Sequence, residues 1–73
     1  MMLNRTGGRP ARLQYLSGSF RLLQDGDYVE CAVTGQRIPL PQLRYWSHEL
    51  QEAYASAEVA VRRHAQAKKD GVL

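Results

Sequence analysis

The reading of this chain turns on residues 12–40, RLQYLSGSFRLLQDGDYVECAVTGQRIPL. Three dipeptides punctuate it, Ser17-Gly18, Asp25-Gly26 and Thr34-Gly35, eight and nine residues apart. That spacing is the mark of a β-meander, and Asp-Gly is a strong two-residue hairpin signal because both positions tolerate positive φ. The registers test one another. A turn at Asp25-Gly26 pairs Leu22 with Val29 and Phe20 with Cys31, and sets Arg21 opposite Glu30. A turn at Ser17-Gly18 pairs Tyr15 with Phe20 and Leu13 with Leu22, and one at Thr34-Gly35 pairs Cys31 with Ile38 and Val29 with Leu40. All three put the apolar side chains on one face, whereas a one-residue slip in any of them moves its set to the other. A three- or four-stranded antiparallel meander is therefore expected over residues 12–40. Pro39 and Pro41, which cannot donate to a ladder, end it.

Beyond a short linker the period changes. Trp46, Leu50, Tyr54, Ala57 and Val61 recur at intervals of four, four, three and four, the stripe of an amphipathic helix. Ser47 is placed to cap it. Glu49 and Glu52 fall where the helix dipole favours acids, and Arg62, Arg63, Lys68 and Lys69 where it favours bases. Gly71 is a stop, and a second cap at Ser56, followed by Glu58, leaves open whether the helix runs unbroken or splits near Ala55. The expected fold class is α+β: a small antiparallel meander over 12–40 covered by a C-terminal helical segment over 47–69. Residues 1–11, with two glycines and no large apolar side chain after Leu3, are expected to be a flexible basic arm, and 71–73 a tail. The expected core is Leu13, Tyr15, Phe20, Leu22, Val29, Cys31, Val33, Ile38, Leu43, Trp46, Leu50, Tyr54 and Val61.

The composition limits what such a domain does. Of 73 residues 44% are apolar and eight of those are alanine, so the core is small. Chains of this size rarely gain more than about 3–5 kcal/mol from one core and usually add a disulfide, a metal or a partner. The single cysteine removes the intramolecular disulfide. The net charge of +3 is uneven: residues 1–24 carry four arginines and no acid, 25–58 carry six acids against Arg37 and Arg44, and 59–73 carry four bases against Asp70. No apolar window reaches the roughly 18 residues of a membrane span, and residues 1–10 lack the apolar stretch of a secretory signal. With its lone thiol, the chain is expected in a reducing bacterial cytoplasm, away from membranes.

Three groups of residues bear on chemistry. Cys31-Ala-Val-Thr34-Gly35 has the shape of half a zinc knuckle, and with Ile38-Pro39 and Leu43 it resembles the zinc fingers of DksA/TraR-type transcription regulators. Its second cysteine, however, is Thr34. Zinc would need Cys31, His48, His64 and an outside ligand, so no metal or other cofactor is expected and Cys31 is assigned as a core thiol. Nothing positions a base beside it for nucleophilic chemistry, so the chain is not expected to be an enzyme. Around Leu43-Arg44-Tyr45-Trp46-Ser47, the types enriched in interface hot spots gather; Trp46 is assigned to the core, and Arg44, Tyr45 and Gln51 to a candidate interface. Arg62 and Arg63, with His64, Lys68 and Lys69, form a basic helix end, which adds Arg62 and Arg63 to that set.

Residues 15–56, and within them Cys31-Ala-Val-Thr-Gly35, Ile38-Pro-Leu40, Leu43-Arg-Tyr-Trp-Ser47 and Gln51-Glu-Ala-Tyr54, resemble a family of short alphaproteobacterial proteins classed as a domain of unknown function. The resemblance implies a bacterial setting and brings no assigned activity, cofactor or catalytic residue. The functional expectation is a non-enzymatic protein-interaction module, a homodimer or an accessory subunit. The alternative is a nucleic-acid or transcription-complex accessory factor with basic termini to grip phosphate and a degenerate zinc-knuckle-like hairpin.

Overall fold

Ser17-Gly18 turns the chain as its composition dictates. In the computed structural model, which describes residues 8–73, β1 (Arg12–Tyr15) and β2 (Phe20–Gln24) pair antiparallel, with Tyr15 opposite Phe20 and Leu13 opposite Leu22. The Leu16 N–H closes the turn on the Ser19 carbonyl at 2.8 Å. This is the expected register. Arg12 then pairs with Gln24, which leaves Leu23 as an extra, bulged residue on β2.

At Asp25-Gly26 the meander expectation is overturned. Strand β3 (Tyr28–Glu30) pairs with β4 (Arg37–Pro39) and not with β2, so the described residues form three two-stranded antiparallel sheets in place of one continuous meander. The other flank of β3 is taken by residues 9–11. The Asp27 N–H donates to the Arg9 carbonyl at 2.8 Å and the Ala11 N–H to the Tyr28 carbonyl at 2.7 Å, while Pro10 forms a parallel bridge with Tyr28. The Arg9 N–H also donates to Asp27 Oδ2 at 3.1 Å. Pro10 favours this strap because it holds the preceding Arg9 in extended conformation. It passes so close to Gly26 that a Cβ there would sit 2.5 Å from the Ala11 nitrogen. The Asp-Gly pair is thus a crossing point, chosen for its missing side chain. Residues 1–7 of the expected arm lie outside the described residues; residues 9–11, by contrast, are bonded into the fold and Ala11 is buried.

The β3–β4 register differs from expectation by two residues, with Val29 opposite Ile38 and Glu30 opposite Arg37. The connection is a four-residue loop in which the Gly35 N–H returns to the Cys31 carbonyl and the Cys31 N–H reaches the Gln36 carbonyl, both at 2.9 Å. Gly35 takes φ +75°, the left-handed conformation that ends such a loop. A shift of two preserves facing, and both Val29 and Ile38 remain buried. A single 3-10 turn (Leu40–Gln42) with Pro41 then delivers Leu43 into the core.

The expected helix over 47–69 begins only at Ala57, and its first part is a hairpin instead. Tyr45–Ser47 (β5) and Glu52–Tyr54 (β6) form a third hairpin, with Tyr45 opposite Tyr54 and Trp46 opposite Ala53. Ser47 does cap, but only one turn: its Oγ accepts from the Leu50 N–H at 3.0 Å, after which Gln51 adopts φ +55° and reverses the chain. The second capping signature starts the real helix. Ser56 Oγ accepts from the Val59 N–H at 3.2 Å with Glu58 in the first turn, and α1 spans Ala57–Lys69. It ends at Gly71, φ +80°, whose N–H bonds the Lys68 carbonyl while the Val72 N–H bonds that of Ala67; this is a Schellman stop.

The third hairpin is the middle layer. Ala53 and Trp46 pack toward the other two hairpins, where Ala11, Tyr15, Val29, Cys31, Ile38 and Leu43 complete the core. A parallel bridge from Cys31 to Ala53, with the Ala32 N–H on the Ala53 carbonyl at 2.9 Å, joins it to β3. Helix α1 covers the other side through Val59, Arg63 and Ala67, not through the expected stripe. Val61 is consequently 69% exposed. Two more expected core residues are corrected: Val33 sits at a loop tip, and Leu22 lies on a strand that no further layer covers.

Candidate interaction groove

The third hairpin is positioned by side chains where strands are absent. The Gln51 carboxamide behaves as a strand partner of β1, its Nε2 donating to the Tyr15 carbonyl at 2.7 Å and its Oε1 accepting from the Tyr15 N–H at 2.9 Å. The same Nε2 donates to the His48 carbonyl at 2.6 Å, bracing the loop that holds Gln51 at positive φ. One position over, the Trp46 indole N–H donates to the Leu16 carbonyl at 2.7 Å. Its ring stacks near Tyr15, with centroids 6.4 Å apart, and meets Phe20 edge-on at 5.6 Å. On the edge of β1 away from β2, Tyr15 is thereby satisfied at both its N–H and its carbonyl.

The helix is fastened to the hairpin by one carboxylate. Glu52 takes Arg63 Nε at 3.0 Å on Oε1 and Arg63 Nη2 at 3.3 Å on Oε2, and the Tyr54 hydroxyl donates to its Oε1 at 2.9 Å. These side chains are mostly shielded from water, so this ion pair is of the fork-to-fork type with geometric force. Burial, then the Glu52 carboxylate, push the Tyr54 phenol up to about 12. The same carboxylate pushes Arg63 up.

Between hairpin and helix an open groove of about 450 Å³ runs beside α1. Trp46, Ser47, Glu49 and Tyr54 form the hairpin wall, and Ala60, Val61, His64 and Ala65 the helix wall. With the indole N–H engaged by Leu16, Trp46 presents carbon to this space. The groove is an apolar trough with one acid and one imidazole on its rim.

The expected interface residues are dispersed. Tyr45, 39% exposed, and Arg44 flank the start of β5 at the surface. Gln51 and Arg63 are consumed by internal bonds, and Arg62 pairs with Glu58 at 3.9 Å along the helix. Arg9 lies 3.8 Å from Asp25, and the Arg37 guanidinium sits 4.4 Å over the Tyr28 ring. Cys31 is 3% exposed. Burial pushes its thiol up, but hydrogen bonds from Thr34, side chain and backbone, and from the Val33 and Ala55 backbone outweigh this, so it lies below its ordinary value. The Thr34 N–H to Sγ distance is 3.5 Å. Among the described residues no three of His, Cys, Asp and Glu gather as a metal would need, and no helix is long and apolar enough to cross a membrane. Sequence reasoning missed Glu52, whose partner Arg63 lies eleven positions on with no local signal. It also missed the helix face carrying Val61, which becomes legible once Ser56 is taken as the cap.

The family model for an uncharacterized protein conserved in bacteria, DUF2093, matches residues 22–63. The chain belongs to this family. The DUF2093 match runs from β2 into the middle of α1 and so takes in the second and third hairpins, the Glu52–Arg63 clasp and most of the groove lining. No curated protein and no solved structure matches the chain.

Proposed function

We propose that this DUF2093 chain is a non-enzymatic protein-interaction module of the bacterial cytoplasm, and that the groove beside α1 is its binding surface. The observation that carries the reading is the exposed apolar lining: Val61 stands out to solvent at 69% exposure on the wall opposite an anchored Trp46. A rigid aromatic floor with its polar atom already satisfied is what interface hot spots use, and apolar patches are retained on small proteins where something covers them. A single, buried Cys31 agrees with a reducing compartment. The nucleic-acid alternative has less behind it, because Arg9, Arg37, Arg62 and Arg63 are engaged by acids or an aromatic ring within the chain. The test is capture from native lysate with tagged wild type and with Val61→Lys. A protein retained by the first and lost by the second supports the reading; recovery that ignores position 61 refutes it.

A further inference from the structure

The helix carries its own partner chemistry. At 100° per residue, Ala57, Val61, Ala65 and Lys68 share one face of α1, with Glu58 and Lys69 on one flank and His64 on the other. Ala57, Val61 and Ala65 are all exposed. Their small side chains let a second helix approach to the short end of the roughly 8–10 Å range of packed pairs. Charge is segregated along this face. Glu58 lies in the first turn, and Lys68 and Lys69 lie in the last. Glu49 adds an acid on the hairpin wall of the groove that Val61 lines from the helix side.

We propose that the groove is occupied by α1 of a second copy of the chain, lying antiparallel to the first. This rests on the interaction-module reading and names its partner. Setting Val61 opposite Ala65 of the second copy sets Glu58 opposite Lys68 of the second copy, and the two-fold axis repeats both contacts in reverse. A parallel arrangement opposes Glu58 to Glu58 and lysines to lysines, with the helix dipoles aligned; the antiparallel one complements both charges and dipoles. The contact is isologous, so each copy's patch is consumed by the other and the assembly closes at two. Three small side chains and two symmetric ion pairs make a short interface, which dissociates on dilution.

Sedimentation velocity of the full chain across the micromolar range reads this directly. The expected result is a reversible shift from the 8.3 kDa monomer toward twice that mass. Val61→Lys abolishes the shift while leaving the helical circular dichroism intact, since the side chain is largely in water. Lys68→Glu weakens dimerisation by roughly five- to tenfold, the effect of two partly exposed pairs broken by symmetry. Glu58→Lys combined with Lys68→Glu restores it, although the exposed Glu58–Arg62 pair is lost. A wild type that stays monomeric at high micromolar concentration overturns the inference, as does a dimer insensitive to Val61→Lys or a charge swap without recovery. If that monomer still loses a lysate partner on Val61→Lys, the groove binds another protein and only this inference falls. If it captures nothing that depends on Val61, the interaction-module reading falls with it.

Discussion

Replacing Gly26 by alanine separates the observed topology from a continuous meander. Gly26 does not take positive φ in the observed fold, so alanine is locally acceptable there, whereas the two-residue hairpin of a meander needs positive φ at Gly26 and keeps that cost whether or not residues 1–11 are present. In the observed fold the new methyl meets backbone: the Ala11 nitrogen at 2.5 Å, and the Pro10 carbonyl carbon and oxygen at 2.6 Å. No side chain is there to swing away, so the strap must lift. Lifting it surrenders the Asp27-to-Arg9, Ala11-to-Tyr28 and Arg9-to-Asp27 hydrogen bonds and re-exposes Ala11. Three hydrogen bonds at about 0.5–1.5 kcal/mol net each give a loss of about 2–4 kcal/mol, a large part of a small domain's stability. Urea unfolding followed by the fluorescence of the single tryptophan, Trp46, measures it. In heat the same loss lowers Tm by roughly 8–32 °C, at about 4–8 °C per kcal/mol for a domain of this size. The control is a chain lacking residues 1–11. There Gly26→Ala is expected to cost almost nothing beyond the truncation itself, because both changes remove the same contact. Wild-type stability in full-length Gly26→Ala, or additive losses in the truncated chain, would refute the strap.

Ser56→Ala removes the cap that starts α1 and is expected to cost about 1 kcal/mol, seen as an earlier helical melt by circular dichroism; Ser47→Ala leaves helix content unchanged, since Ser47 caps only a hairpin loop. Gln51→Ala is expected to destabilise by about 1–3 kcal/mol by orphaning the Tyr15 N–H and carbonyl, and hydrogen exchange at the Tyr15 amide accelerates more than at Leu13. Stability falls in alkali: the Tyr54 phenol titrates near 12 in the folded chain but near 10 unfolded. The folded state therefore holds the proton longer, so the contribution is full below pH 10 and lost between pH 10 and 12. Its size is at most about 2–3 kcal/mol, and Tyr54→Phe abolishes that slope.

Local features were legible and long-range competition was not. Ser17-Gly18 gave the β1–β2 register because the turn and both strands fall within a dozen residues. Asp25-Gly26 carried an equally strong hairpin signal, yet the flank it needed on β3 was claimed by residues 9–11, sixteen positions upstream in a segment whose glycines read as flexible. The stripe at Trp46, Leu50 and Tyr54 deceived for a different reason. An interval of four fits one helical face, but it also fits a hairpin whose strands begin at Tyr45 and end at Tyr54 around a four-residue loop. The aromatic pair Tyr45-Trp46, a strand-forming combination, and the second cap at Ser56 argued for the hairpin. At the groove, Trp46 stood out by residue type, whereas the exposure of Val61 depends on which face Glu52 pulls toward the hairpin through Arg63. That pairing spans strand and helix and leaves no periodic trace.

The Gln51 carboxamide also bears on how the molecule assembles in time. Each hairpin closes over a handful of residues, an event of roughly 1–10 μs, and none requires the others to exist first. Nothing in the ladder of β1 extends to β5, so the first and third hairpins are joined through an amide and an indole that each donate to a carbonyl of the first hairpin. Docking by side chain is indifferent to strand register: neither hairpin offers the other a row of N–H groups on which to slip. The coupling of the first hairpin to the third is thereby concentrated in two residues, Gln51 and Trp46. Loss of both is expected to undock the first hairpin while the Cys31–Ala53 bridge still joins the second and third.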